Sequence, residues 1–312
     1  PPDRFEGAPP PTRRPPARLS QRATPGPGTW AVIIGINDYP GTAHDLRSAV
    51  ADADDINAAL AGMGVPADHR MVLKDGQVTR KVLRSAAEWL TGVAGPDAVA
   101  VFAFAGHVRK TGATESMVTA DGGTVSDAEL AGIFGRLQAR QAWVVMAACY
   151  GGGFTEVLRP GVVLTGAAPA DQEAFENTTF GTDGNSYLVE FMVNQGMIGG
   201  RAADTVQSAF EYARQELSLR YPDRVPVQLD RSGGPLDLRP PGVARPAASA
   251  RAPVAPTSGS STSSSNQGGG SASGDGSATT TSTTAPPPAT TTTTAPKDAC
   301  KLAVVVRCPS TG

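Results

Sequence analysis

Residues Val144 to Phe154 read VVMAACYGGGF: an apolar run that suits a strand buried on both faces, ending at Cys149 and followed, after Tyr150, by three glycines. A second such run, AVAVFAFAG at Ala98–Gly106, ends at His107. Working outward, TWAVIIGIN at Thr29–Asn37 and HRMVLKD at His69–Asp75 read as two earlier strands, and GVVLTGA at 161–167 as a later one. Between them lie stretches of helical period. SAVADADDINAALAGMG places Val50, Ala53, Ile56 and Leu60 on one face, with Gly62 and Gly64 ending the helix. VTRKVLRSAAEWLTGV places Val78, Val82, Leu83, Ala86 and Leu90 together, and SDAELAGIFGRL opens on the capping box Ser126-x-x-Glu129. Two further helices are expected near Ser186–Asn194 and Asp204–Leu217.

Strands alternating with helices imply βαβ units, a parallel sheet and right-handed crossovers. Ligands of such sheets bind beyond the carboxyl ends of the strands. Two consecutive crossover-linked strands usually lie side by side, so the ends carrying His107 and Cys149 are expected to share one edge. An imidazole beside a thiol raises the thiolate fraction or accepts the proton during attack, which suffices for acyl transfer. The glycines at 151–153 would let backbone and substrate approach closely. Asp171, just after the 161–167 strand, could bring a carboxylate to the same edge.

The 312 residues divide unevenly. Residues 1–28 form a Pro/Arg-rich arm with no apolar periodicity, expected to be disordered. Residues 29–240 hold the one core. Residues 241–297 are an Ala/Pro/Ser/Gly/Thr-rich linker, and 298–312 a short tail bounded by Cys300 and Cys308, spaced to close a disulfide loop. That pair and the Thr-rich stalk point to a secreted or cell-surface protein, and the absence of an initial Met and of an apolar leader fits a mature form. The arm and the segment after Pro240 are each about +3 in charge, leaving the central domain near −8 against the formal total of −2. An acidic body argues against nucleic-acid binding, and no apolar run reaches membrane-spanning length. No Cys or His occurs at zinc spacing, and His44 and His69 read as surface or strand-start residues. Asp52, Asp54 and Asp55 could suggest calcium, but within one helical segment they read as a solvated face. GxxxxGK[ST], GxGxxG and GxSxG patterns do not occur, which leaves no support for a nucleotide cofactor or a serine hydrolase.

Taken in order, WAVIIGINDYPG at 30–41, DLRSAVADADDINAAL at 45–60, VFAFAGHV at 101–108, the helix start at Asp127–Leu130, VVMAACYGGGF and AFENTTFGTDGNSYLVEF at 174–191 resemble the caspase-like cysteine peptidases, in particular their bacterial and metacaspase members. The resemblance spans roughly residues 29–235. It implies an αβα sandwich, His107 as general base, Cys149 as nucleophile, a polypeptide substrate, and an oxyanion held by the N–H groups of Cys149 and of the residue after the histidine. That residue is usually glycine and here is Val108. The aspartate two before the nucleophile, which helps hold a basic P1 side chain in metacaspases, is here Ala147. Asp52 matches a second acidic position of that pocket, so a preference for Arg or Lys remains, and arm residues Arg13, Arg14, Arg18 and Arg22 would be the nearest substrates for self-cleavage. The two departures also fit an inactive member acting as a binding or scaffold module.

Overall fold

The computed structural model describes residues 7–10, 19, 24–176 and 184–244. The arm arginines, most of the linker and the expected Cys300–Cys308 pair lie outside them. Among the described residues the main sheet has six strands: β1 (Gly26–Gly35), β2 (Arg70–Lys74), β3 (Ala94–Ala105), β7 (Gln141–Ala147), β8 (Val162–Gly166) and β9 (Val227–Asp230). Their spatial order is β2-β1-β3-β7-β8-β9. All neighbours are parallel except β9, which runs antiparallel to β8.

Alternation along the central strands builds two cores. Val32, Ile34, Phe102, Phe104, Val144, Met146 and Leu164 face one side, where α2 (Arg80–Val93) and α3 (Asp127–Phe134) cover them. Ala31, Ile33, Val101, Ala103, Trp143, Val145 and Val163 face the other, under α1 (Ala49–Gly62), α4 (Tyr187–Val189) and α5 (Val206–Arg220). Each strand residue therefore serves one layer or the other, and the period of two that orders a half-buried sheet here fills both faces. Burying a side chain such as Phe102 or Ile33 contributes roughly 1.5–3 kcal/mol before the entropy of ordering it. The result is the αβα sandwich expected above.

Two features depart from the sequence reading. After His107 the chain makes an antiparallel sheet of β4 (Val108–Thr111), β5 (Thr114–Val118) and β6 (Thr124–Ser126), whose short strands carry too few residues for a periodicity to show. The helix expected at 186–194 begins as α4 but continues as a π-helical segment, Glu190–Ile198. The capping box of α3 forms as read: Ser126 Oγ accepts from Glu129 N, and Ser126 N donates to Glu129 Oε2.

Candidate active site

Register brings His107 and Cys149 together. β3 and β7 are adjacent, with Ala105 opposite Ala147, so both residues lie two positions beyond the same rung. Neighbouring strands run about 4.8 Å apart, and both side chains are buried.

The histidine is oriented by the segment that follows β1. His107 Nε2 lies 2.7 Å from the His44 carbonyl oxygen. A carbonyl only accepts, so Nε2 carries the proton and Nδ1 is the basic nitrogen. The His107 backbone N–H donates to the Tyr39 hydroxyl at 2.8 Å, and the two rings pack 4.7 Å apart. Gly106 makes this possible, because a Cβ there would sit 2.6 Å from the Tyr39 hydroxyl. Burial lowers the His107 pKa to about 4, opposed by the bond to His44 and by the charge of Asp45. The imidazole is thus neutral at pH 7, the form a general base requires. Burial also pushes the Tyr39 phenol well above its usual range, keeping it a neutral hydroxyl.

The cysteine end is shaped by close packing together with backbone hydrogen bonds: Tyr150 N donates to Gln172 O, Gly152 N to Ala168 O and Gly153 N to Tyr150 O. Tyr150 takes the left-handed conformation (φ 55°), and Gly151–Gly153 form a tight 3₁₀ turn. Each glycine is required by what it touches. A Cβ on Gly151 would meet the Met146 carbonyl oxygen at 2.5 Å, one on Gly152 the Val227 side chain at 2.5 Å, and one on Gly153 the buried Glu115 carboxyl at 2.4 Å. This corrects the expectation that they open the site to substrate: they are buried and let the turn seat against β7, β8 and β5. Glu115 is itself paired with Lys110, and its backbone N–H donates to Asp127. Cys149 Sγ lies 3.4 Å from Ala174 N and 3.8 Å from Ala174 O. Cys149 is disulfide-bonded, so nucleophilic chemistry at this sulfur requires reduction.

Val108 is the first residue of β4. Val118 N donates to the His107 carbonyl, and with Val108 opposite Met117 the alternation of antiparallel pairs turns the Val108 N–H away from β5. Among the described non-glycine residues only Asp75 and Tyr150 have positive φ, so Val108 needs none of glycine's freedom.

Asp52 is not on a solvated face, which corrects that expectation. Ala49, Asp52, Ala53, Ile56, Ala59 and Leu60 are the buried residues of α1, spaced at i, i+3, i+4, i+7, and Asp52 falls on that stripe. Its Oδ1 accepts from Ser186 N (2.9 Å) and Asn185 Nδ2 (3.2 Å), and burial raises its pKa to about 7, with Glu176 adding to the rise. Asp55 accepts from Asn185 and Asn194, while Asp54 is exposed and pairs with Lys74. Asp171 is exposed in the loop after β8. His69 stacks on Trp30 at 3.5 Å, away from the site. Sequence reasoning missed the Tyr39 hydroxyl, the His44 carbonyl and Glu176; a carbonyl oxygen carries no residue signature, and Glu176 lies 128 positions from the Ser48 it meets. Among the described residues no cluster of three His, Cys, Asp or Glu could hold a metal ion, and no helix is long and apolar enough to cross a membrane.

The family model for the caspase domain (Peptidase_C14) matches residues 29–284, most of the chain. The chain belongs to the caspase domain family. Its sandwich is similar to the crystal structure of protein GSU0716 from Geobacter sulfurreducens, with a TM-score of 0.51 at 16% identity over 65% of this chain and 93% of that one. That likeness concerns the fold alone. No curated protein matches at a significant level. Membership in this family makes His107 and Cys149 the place at which a peptidase chemistry is to be tested.

Proposed function

We propose that this caspase domain is a cysteine endopeptidase working through His107 and Cys149. The observation that carries the reading is the shared rung: a buried, neutral imidazole whose outer nitrogen is tied to the His44 carbonyl stands at the same strand level as the only cysteine of the domain. In the reduced enzyme His107 Nδ1 takes the thiol proton as Sγ attacks the peptide carbonyl. The tetrahedral oxyanion is held by the Val108 and Cys149 N–H groups. Collapse breaks the C–N bond, His107 returns the proton to the leaving amine, and water then hydrolyses the thioester with His107 again as base.

The P1 side chain is proposed to be Arg or Lys. Asp52 and Glu176 are two buried carboxylates that no cation pairs with among the described residues, and the raised pKa of Asp52 marks a desolvated acid whose ionised form a guanidinium would stabilise. Asp171 would contribute a carboxylate at the rim. Self-cleavage after Arg13, Arg14, Arg18 or Arg22, in a secreted setting, belongs to the same proposal.

Fluorogenic peptides ending in Arg, Lys, Asp or Asn, assayed with reductant and with or without calcium, test it. Wild type should cleave the Arg and Lys peptides. Cys149→Ala should fall to background and His107→Ala by about 10²–10⁴-fold, with an arm trimmed in wild type and intact in both variants by mass spectrometry. No turnover of any peptide would return the chain to the scaffold reading.

A further inference from the structure

We propose that Glu176 is a positioning residue: its carboxylate ties the strand of chain that touches Cys149 to the segment that orients His107, and so sets the two reactive groups against each other. This rests on the reading of His107 and Cys149 as a dyad. Glu176 is buried, and its Oε1 accepts three hydrogen bonds, from Arg47 N (2.8 Å), Ser48 N (2.7 Å) and Ser48 Oγ (2.6 Å). Ser48 is the N-cap of α1, yet its side chain does not cap its own helix. The hydroxyl points instead to a carboxylate 128 residues away, while the N2 amide of the helix, Val50 N, is taken by Asn37 Oδ1. With that amide already served by Asn37, the long-range bond from Ser48 to Glu176 calls for a reason outside α1.

The reason lies on either side of the bond. Two residues before Glu176, the Ala174 backbone flanks Cys149 Sγ. Three residues before Arg47, the His44 carbonyl accepts from His107 Nε2. The intervening stretch has little slack: Leu46 N donates to Asn37 O, and Asp45 Oδ1 accepts from Tyr39 N, the same Tyr39 whose hydroxyl receives the His107 N–H. Glu176 also bridges to Ser186, whose N–H is held by Asp52 of α1. One carboxylate therefore joins the two walls of the site, one carrying the sulfur's neighbour and the other the imidazole's anchor. Charge-assisted bonds of this kind are about twice as strong as neutral ones, which suits a clasp.

The test needs no substrate. The full-length chain is reduced, and alkylation of Cys149 by iodoacetamide is followed from pH 5 to 10 by mass spectrometry of the Cys149 peptide, in wild type and in Glu176→Ala, Glu176→Gln, Ser48→Ala and His107→Ala. The expected result is that Glu176→Ala loses about tenfold or more in rate near neutral pH, since small misplacements at a reacting pair are costly, and takes on the pH profile of His107→Ala. Glu176→Gln, which keeps an acceptor for the three donors, should recover most of the wild-type profile, and Ser48→Ala should fall between. Glu176→Ala with a wild-type alkylation profile, whatever its melting temperature, overturns the inference. If Glu176→Ala does not fold, Ser48→Ala decides: a profile displaced toward His107→Ala supports the inference, and one superimposed on wild type overturns it. A wild-type profile indifferent to His107→Ala would remove the dyad itself, and the positioning role with it, an outcome told apart before any Glu176 variant is read.

Discussion

The two strand ends that make the site are held in opposite ways. At the end of β3 the histidine is fixed by directed bonds to groups far away in sequence, the Tyr39 hydroxyl and the His44 carbonyl. At the end of β7 the turn that follows the cysteine is held chiefly by close packing, its glycines so close to β7, β8 and β5 that no side chain fits, with local backbone hydrogen bonds from Tyr150, Gly152 and Gly153 behind it. The first arrangement sets a tautomer and an angle. The second sets a position. In the proposed dyad a base has to be oriented and a nucleophile has to be placed, so each end has the kind of restraint its proposed role would demand.

The sharpest way to break the comparison is to add one carbon at the cysteine end. In Gly151→Ala the new Cβ would meet a backbone carbonyl oxygen, with the Gly166 Cα also at 3.2 Å, and neither can rotate away. Overpacking of this kind should cost about 3 kcal/mol, read as a fall in the denaturation midpoint with unchanged m-value, and peptide turnover should drop through loss of placement. An unchanged midpoint would show that the turn has slack and that the volume account is wrong.

At the histidine end the matching change removes a single oxygen. Tyr39→Phe keeps the ring against His107 but leaves a buried N–H without its acceptor, a cost of about 1–3 kcal/mol. If orientation is what this end provides, kcat should fall while KM for the peptide stays, whereas a loss confined to stability would make Tyr39 a packing residue.

Much of this was readable in advance and some of it could not be. The apolar alternation of β1, β3, β7 and β8 announces a doubly covered sheet, and parallel crossovers then place His107 and Cys149 at one edge by topology alone. What escaped has a common cause. Restraints made by backbone groups, such as the His44 carbonyl or the Ala174 amide, leave no trace in residue type, and a long-range bond such as Glu176 to Ser48 depends on a fold already built. Asp52 was different, because its helical position among Ala49, Ala53 and Ile56 does mark it as buried. Its charge suggested solvent, and the period of the helix was the better guide.

The smallest expected effect sets His107 at one end against Asp52 of α1 through pH. Burial depresses the His107 pKa to about 4, so below its ordinary value near 6.5 the unfolded chain binds a proton that the native state refuses, and stability falls as pH drops through that window. Asp52 acts in the reverse sense. With a pKa raised to about 7 from 3.8, its native carboxyl keeps a proton that the unfolded chain has lost, so its contribution is full below pH 3.8 and disappears as pH rises through 7. Between about pH 4 and 6.5 the two slopes oppose each other, at most about 1.4 kcal/mol per pH unit each, and wild type should look nearly flat with respect to this pair. Asp52→Asn keeps an oxygen for the Ser186 N–H while removing the titration, so the His107 slope should emerge: the variant should gain stability relative to wild type with each unit of rising pH across that window, by about 1 kcal/mol per unit. Urea midpoints at pH 4.5, 5.5 and 6.5 measure it. Parallel curves for variant and wild type would mean that Asp52 is already ionised in the native state, and a desolvated acid awaiting a cation could then no longer be the basis for a basic P1 side chain.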